Sequence, residues 1–330
     1  MGDEPIPGLA SVTRRGAILL GSLVEADGFA GRLLRVVTHA HEDHTIGLSS
    51  SIRRALFVIA TPTTYRFLEV LGKHVPDHKR LELPYSKPVE VEDESITLLR
   101  ARHIAGSAQV MVEGRDYRVG YTGDFKMPGT SPMMDLDVLV LDATYGSPMS
   151  QRRWSEWDAL AALLSLVERG LREGTVYIYG FNGKLQEVMV ELRLRGIGEP
   201  FAADPKTLRM ARIASEFYGV NIEPLTTIDR VFDGEPVVVF AHTSRFNSMR
   251  RRPGIHVKLT GRELRAVAVR VSDNIYNVSF SDHATFSEVI EYVEEARPKR
   301  VVVDAYRGRE AWFTAKYIER RLGIPSTALP

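Results

Sequence analysis

The sequence predicts an α/β protein, on three observations. Short apolar runs of strand length recur along the chain, and from Pro148 onward they alternate with longer segments of helical period. Several of these runs lead directly into turns that carry His or Asp. With 330 residues, 44% hydrophobic and 26% charged, the chain is long enough for one large or two medium domains, each with its own core.

Composition narrows the function classes. The formal net charge of +1 gives no global attraction to nucleic acid, so any basic footprint must be local. Cysteine is absent, which removes disulfides, thiolate ligands and cysteine nucleophiles; a metal would have to be held by His, Asp or Glu. No stretch has the apolar length needed to cross a bilayer. The start, Met1-Gly-Asp-Glu-Pro, lacks a secretory pattern, so the expected location is cytoplasmic and no membrane partner is expected.

In chain order, Ala17 to Leu20 and Leu33 to Val37 read as strands, with Gly28 and Gly31 punctuating the turn between them. The second strand runs into His39-Ala-His-Glu-Asp-His44, which puts three of the nine histidines and an aspartate into six positions. His39 and His41, two apart, project from one face where the strand frays, and Asp43 and His44 turn back toward the same point. Imidazole and carboxylate suit zinc or a similar divalent ion, and such a run serves two adjacent ions better than one. Arg53 to Ile59 reads as a strand, Thr64 to Leu71 as a helix and Pro76 to Pro84 as a loop; His74 and His78, in that region, are taken as exposed polar residues.

Val89 to Leu99 reads as a strand leading to His103, with Gly106 and Ser107 just beyond, where backbone can approach a ligand. Asp124 ends the next strand and, as a carboxylate, can bridge two cations. Asp142 closes strand Val138 to Leu141 in the same way. Its alternative reading is a turn-initiating aspartate. Beyond Pro148 come helix Trp157 to Leu171, strand Thr175 to Tyr179, helices Lys184 to Leu194 and Lys206 to Tyr218, and strand Pro236 to Ala241. Between Arg245 and Arg270 eight basic residues face only Glu263, which is either a solvated face or a phosphate-contact surface. His242 and His256 border this run without an assigned role. Strand Asn277 to Phe280 leads to His283, followed by a Thr285 N-cap with Glu288 completing a capping box, helix Phe286 to Ala296, strand Arg300 to Asp304 and helix Arg309 to Leu322. His283 is placed to be a last ligand, and Asp282 beside it is the alternative.

Taken together, the Asp27 turn, His-Ala-His-Glu-Asp-His, His103-Ile-Ala-Gly-Ser, Tyr121-Thr-Gly-Asp-Phe, Asp142-Ala-Thr-Tyr-Gly and Phe280-Ser-Asp-His resemble the β-CASP branch of the metallo-β-lactamase superfamily. That branch contains nucleases of DNA repair and of RNA processing. The resemblance implies a four-layer αββα fold over residues 1–150 and 270–330, with a β-CASP cap inserted at 151–269. It implies two zinc ions, with manganese as the alternative. His39, His41 and His103 would hold one ion, Asp43, His44 and His283 the other, and Asp124 would bridge them, while Asp27 and Asp142 orient ligands or water. Asp27, Asp43, Asp124 and Asp142 form the expected catalytic set; Ser107, Lys184, Arg245 and Arg307 are the expected substrate contacts, Lys184 lying in a Gly-Lys-x-Gln-Glu element similar to the family's.

The implied activity is hydrolysis of phosphodiester bonds in nucleic acid. A position near the end that is histidine in RNA-acting members, and apolar in DNA-acting ones, falls in Val303-Asp-Ala-Tyr-Arg-Gly. With Ala305 as the equivalent the chain leans to DNA; with Asp304 the lean is lost. The competing readings are an RNA-processing enzyme of the same branch, a small-molecule hydrolase of thioesters or lactones, and a non-catalytic scaffold of a processing complex. The long insert and its basic run argue against the second, and the intact ligand set against the third.

Overall fold

Short strands with apolar residues at alternate positions have two faces to bury, and layering two sheets between helices buries both. The computed structural model, which describes residues 9–330, is built this way in the first of its two units, formed by residues up to Gln151 with His283–Pro330. Ala10–Val12, Ile18–Leu20, Val24–Ala26, Leu34–Val36, Phe57–Ala60 and Arg80–Glu82 form a six-stranded sheet in that order, parallel from Val24–Ala26 onward. A seven-stranded sheet runs Ser326–Leu329, Val301–Asp304, Val138–Leu141, Arg118–Tyr121, Ala108–Glu113, Glu94–Arg100, Pro88–Val91. Val140 and Val302 point into the space between the sheets with Val36, Ile59, Val110 and Tyr121. Their neighbours Leu139, Leu141, Val301 and Val303 face the other way, onto helices Phe286–Ala296 and Ala311–Leu322. Helices Leu48–Arg54 and Pro62–Val70 make the crossovers of the six-stranded sheet, completing the αββα order of layers.

The second unit, Arg152–Asp282, has its own sheet in the order Leu225–Thr227, Phe201–Ala203, Val238–His242, Val176–Gly180, Ile255–Leu259, Ile275–Val278, Ala268–Ser272. All pairings are parallel except the last. On one face Val176, Ile178, Val238 and Phe240 pack against helices Glu156–Glu173 and Lys184–Leu194 through Leu163, Val167, Leu185 and Val188. The other face carries Tyr177, Tyr179, Val239 and Met249.

Three expectations are corrected. Residues 270–282 belong to the insert, because Ile275–Val278 pairs with Ile255–Leu259 and Ala268–Ser272 with Ile275–Val278, so the chain returns to the first unit at His283 rather than at 270. Arg53 and Arg54 end helix Leu48–Arg54, and the strand begins only at Phe57. The loop at 76–84 contains strand Arg80–Glu82 as the parallel edge of its sheet. Among the described residues no helix is long and apolar enough to cross a membrane.

Candidate metal centre

Each candidate ligand sits where a strand stops, and backbone contacts fix each loop. After Leu34–Val36 the Thr38 carbonyl accepts from Ala108 N at 3.0 Å, which joins the first loop to the second sheet ahead of His39. A 3-10 turn at Glu42–His44 then brings His44 back. The loop of His103 is closed by Ser107, whose Oγ accepts from Ile104 N at 3.2 Å and whose carbonyl accepts from Ala101 N. Gly106, at φ +88, has no room for a Cβ against Thr64 N, and its carbonyl accepts from Thr61 and Thr64 hydroxyls at 2.7 and 2.9 Å. Ala284 N donates to Phe125 O at 2.7 Å, which sets the loop of His283 beside that of Asp124.

The result is two groups of side chains that share one residue. His39, His41, His103 and Asp124 offer donor atoms within 4.8 Å of one another, and so do Asp124, Asp142 and His283. In the first group His41 Nδ1 lies 3.1 Å from both His39 Nε2 and His103 Nε2, and Asp124 Oδ2 lies 3.6 and 3.5 Å from those same nitrogens. Tetrahedral zinc with bonds of about 2.0–2.1 Å would place its ligand atoms about 3.3 Å apart. His44 Nε2 is 3.3 Å from Asp124 Oδ1 and 3.5 Å from Asp43 Oδ2. His44 Nε2 and Asp124 Oδ1 are both buried and make no well-formed hydrogen bond, and a cation between them would take both as ligands. The residues present therefore fit a divalent metal ion.

Electrostatics follow from burial and crowding. Burial, with His44 and His103 nearby, holds the His39 imidazole well below its usual range. Burial would also lower His44, but Asp124 and Asp27 hold it well above. Burial works to raise Asp124, while His44 and His283 keep it well below the ordinary carboxylate range. Asp43, more than half exposed, is also opposed by burial but falls to about 2 beside the His44 imidazole, whose Nε2 lies 3.5 Å from its Oδ2.

Asp27 stands behind the cluster, fully buried and left-handed at φ 55. Its Oδ2 is 2.7 Å from His44 Nδ1, and it accepts from Thr38 N at 2.9 Å and Thr38 Oγ1 at 2.6 Å. It reaches His44 and not the ligand atoms, so its geometry is that of a positioning residue rather than the catalytic one expected. Asp142 is placed the other way round: Oδ1 accepts from Thr144 N and Oγ1 at 3.0 and 2.9 Å, and Oδ2 faces His283 Nδ1 at 3.5 Å within a ligand group. His283 thus groups with Asp124 and Asp142, not with Asp43. Asp282, its alternative, pairs with Lys184 Nζ at 3.0 Å.

Three expected substrate contacts are accounted for differently. Ser107 is buried and closes the His103 loop, and Lys184 is buried in its pair with Asp282. Arg307 is buried: Nη1 pairs with Asp304 Oδ2 at 2.8 Å, and Nη2 reaches the carbonyls of Gly16 and Asp27 at 3.0 Å and of Asp43 at 3.2 Å. Arg245 is exposed on the turn Thr243–Arg245 of the insert. Within the basic run, Arg265 pairs with Glu263 at 2.7 Å and Arg270 with Asp273 at 3.4 Å. Two supporting residues were missed by sequence reasoning. Thr38 holds Asp27, and buried Arg35 donates to His44 O at 3.1 Å; the one signal was a charge in the middle of an apolar strand.

A model of the beta-lactamase superfamily domain matches residues 34–186. An uncharacterized protein in the lig 3′ region of Acidianus ambivalens is 41% identical over 138 residues, covering 41% of this chain and 97% of that protein. The 5′ exonuclease Apollo of Gallus gallus is 27% identical over 87% of this chain and 63% of its own length. A probable DNA ligase of Opitutus terrae is 27% identical over 88% of this chain and only 30% of its own. This chain therefore corresponds to part of each of those two larger proteins.

Proposed function

This chain belongs to the β-lactamase superfamily, and on that premise we propose that it is a zinc-dependent nuclease that hydrolyses phosphodiester bonds of nucleic acid, with DNA as the preferred substrate. The observation that carries the reading is the pair of donor groups that share Asp124. The first group has three imidazole nitrogens and suits zinc; the second is richer in oxygen and leaves manganese as the alternative there. The Apollo relative is a 5′ exonuclease aligned over most of this chain, which supports nucleic acid as substrate. The lean to DNA rests on the match to a probable DNA ligase and on the end of strand Val301–Asp304. There the Asp304 carboxylate is taken up by Arg307, and Ala305 packs in an apolar cluster.

Bound at these two positions, divalent ions supply Lewis-acid polarisation of the phosphodiester and of the attacking water. The chain's own residues do the rest. Asp27 and Thr38 keep the His44 imidazole turned inward, and Thr144 ties down one oxygen of Asp142 so that the other stays on the ligand group. Asp124 and Asp142 are the carboxylates in position to accept a proton from water, and Asp43 offers an ionised, exposed oxygen at the rim. The test is cleavage of 5′- and 3′-labelled single-stranded DNA and RNA by zinc-loaded protein, beside a His41→Ala, Asp43→Ala control. DNA cleavage lost in the control is expected, and the released label gives polarity. A preference for RNA would move the protein to RNA processing, and no cleavage of either would end the nuclease reading.

A further inference from the structure

The insert's sheet divides at the carboxyl ends of two adjacent strands. Val176–Gly180 and Val238–His242 pair in parallel, with Gly180 opposite His242. The chain leaves Gly180 along one face, where Leu185 and Val188 of the next helix join the core with Ile178 and Phe240. It leaves His242 along the other, where Phe246 and Met249 pack on Tyr179 and Ala241. In parallel α/β sheets such a divergence opens a crevice beyond the strand ends, the usual place for a ligand.

The residues at that point suit a nucleotide. Phe181 is 54% exposed and meets the His242 ring edge-on at 5.4 Å. His242 Nδ1 accepts from Ser244 N at 3.3 Å and lies 2.8 Å from Ser244 Oγ, so Nε2 is the ring nitrogen turned away from that turn. Exposed Arg245 ends the turn that His242 caps, and exposed Lys206 is close enough that, after burial, it lowers the His242 imidazole. Asp204, the nearby carboxylate, faces its own helix and accepts from Lys206 N, Thr207 N and Thr207 Oγ1 at 2.7–3.0 Å.

We propose that this crevice binds a single strand of nucleic acid, with a base stacked on Phe181 and the adjoining phosphates held by Arg245, Lys206 and His242 Nε2. An exposed aromatic face beside cationic side chains is how single strands are held without reading sequence. The choice of ligand rests on the nuclease reading, while the crevice itself lies wholly within the insert.

The test is fluorescence anisotropy of a nuclease-resistant phosphorothioate oligothymidylate bound to the zinc-loaded whole chain at fixed salt. Phe181→Ala should weaken binding about 5- to 100-fold, Phe181→Tyr should restore it, and an abasic oligomer should bind both proteins alike. Replacing Arg245 and Lys206 by Ala should flatten the salt dependence by about one unit per lost phosphate contact. Binding that ignores Phe181→Ala, or an equal loss on the abasic oligomer, overturns the proposal. Cleavage by the same protein is read separately. Cleavage without Phe181 dependence sinks this site alone, and Phe181-dependent binding without cleavage sinks the nuclease reading alone.

Discussion

Replacing Arg307 by Met should be among the costliest single changes outside the ligands themselves. The Arg307 side chain is 5% exposed and that of Asp304 1%, so the substitution strands a buried carboxylate. Breaking such a pair costs about 3–5 kcal/mol, and the carbonyls of Gly16 and Asp27 lose a donor as well. We expect a net loss of about 4 kcal/mol, a fall in Tm of roughly 6 °C. Burial already pushes the Asp304 carboxyl up, and Arg307 is the main group opposing it. Without the guanidinium the carboxyl should take up a proton more readily, so Asp304→Asn in the Arg307→Met background should recover much of the loss. Calorimetry of the four proteins, metal-free so that ion binding does not enter, gives the coupling directly. Additive effects, or an Arg307→Met cost below about 1 kcal/mol, would refute the account. Arg307→Lys keeps the charge without the planar fork and should fall between.

The remaining expectations concern the metal centre and the insert. His103→Ala should lower bound metal by one ion per chain by elemental analysis and cut cleavage at least about 100-fold; unchanged metal content would remove His103 from the ligands. Asp27→Asn, which changes the carboxylate shared by His44 Nδ1 and Thr38, should weaken metal affinity about 10- to 100-fold by calorimetric titration. Chelation should lower Tm by several degrees, since an ion held at a thousand times its Kd stabilises by about 4 kcal/mol. Glu263 is held at about 2 by its hydrogen bonds to Arg265, against an ordinary 4.5. Its contribution to stability is therefore complete above pH 4.5 and lost as pH falls from there toward 2. Glu263→Gln should flatten that part of the acid-unfolding curve.

The candidate ligand cluster was legible because imidazole and carboxylate concentrate in sequence. Three histidines and an aspartate fall within His39 to His44, and His103, Asp124 and His283 each follow a strand-like run. What a side chain does after leaving its strand was less legible. Asp142 reads equally as a turn residue, and its hydrogen bonds with Thr144 show that it is one, with its second oxygen left for the site. Ser107 and Arg307 looked like substrate contacts because polarity near a site is visible in sequence and burial is not. Strand Val24–Ala26 escaped notice because Glu25 stands at its centre. That carboxylate is fully buried, accepting from Ala30 N, Gly31 N and Ser51 Oγ at 2.6, 2.7 and 3.0 Å, and only the fold supplies those donors.

The insert, Arg152–Asp282, lies in sequence between Asp142 and His283, and these two side chains face each other across 141 positions of sequence. Bringing the ends of a flexible segment of that length together carries a loop-closure entropy of about 4 kcal/mol. A folded insert has met that cost within its own core before any ion arrives. The affinity of an ion held at Asp124, Asp142 and His283 would then depend on the folding of a unit that contributes none of those three residues, so a substitution deep in the insert would read out as loss of metal.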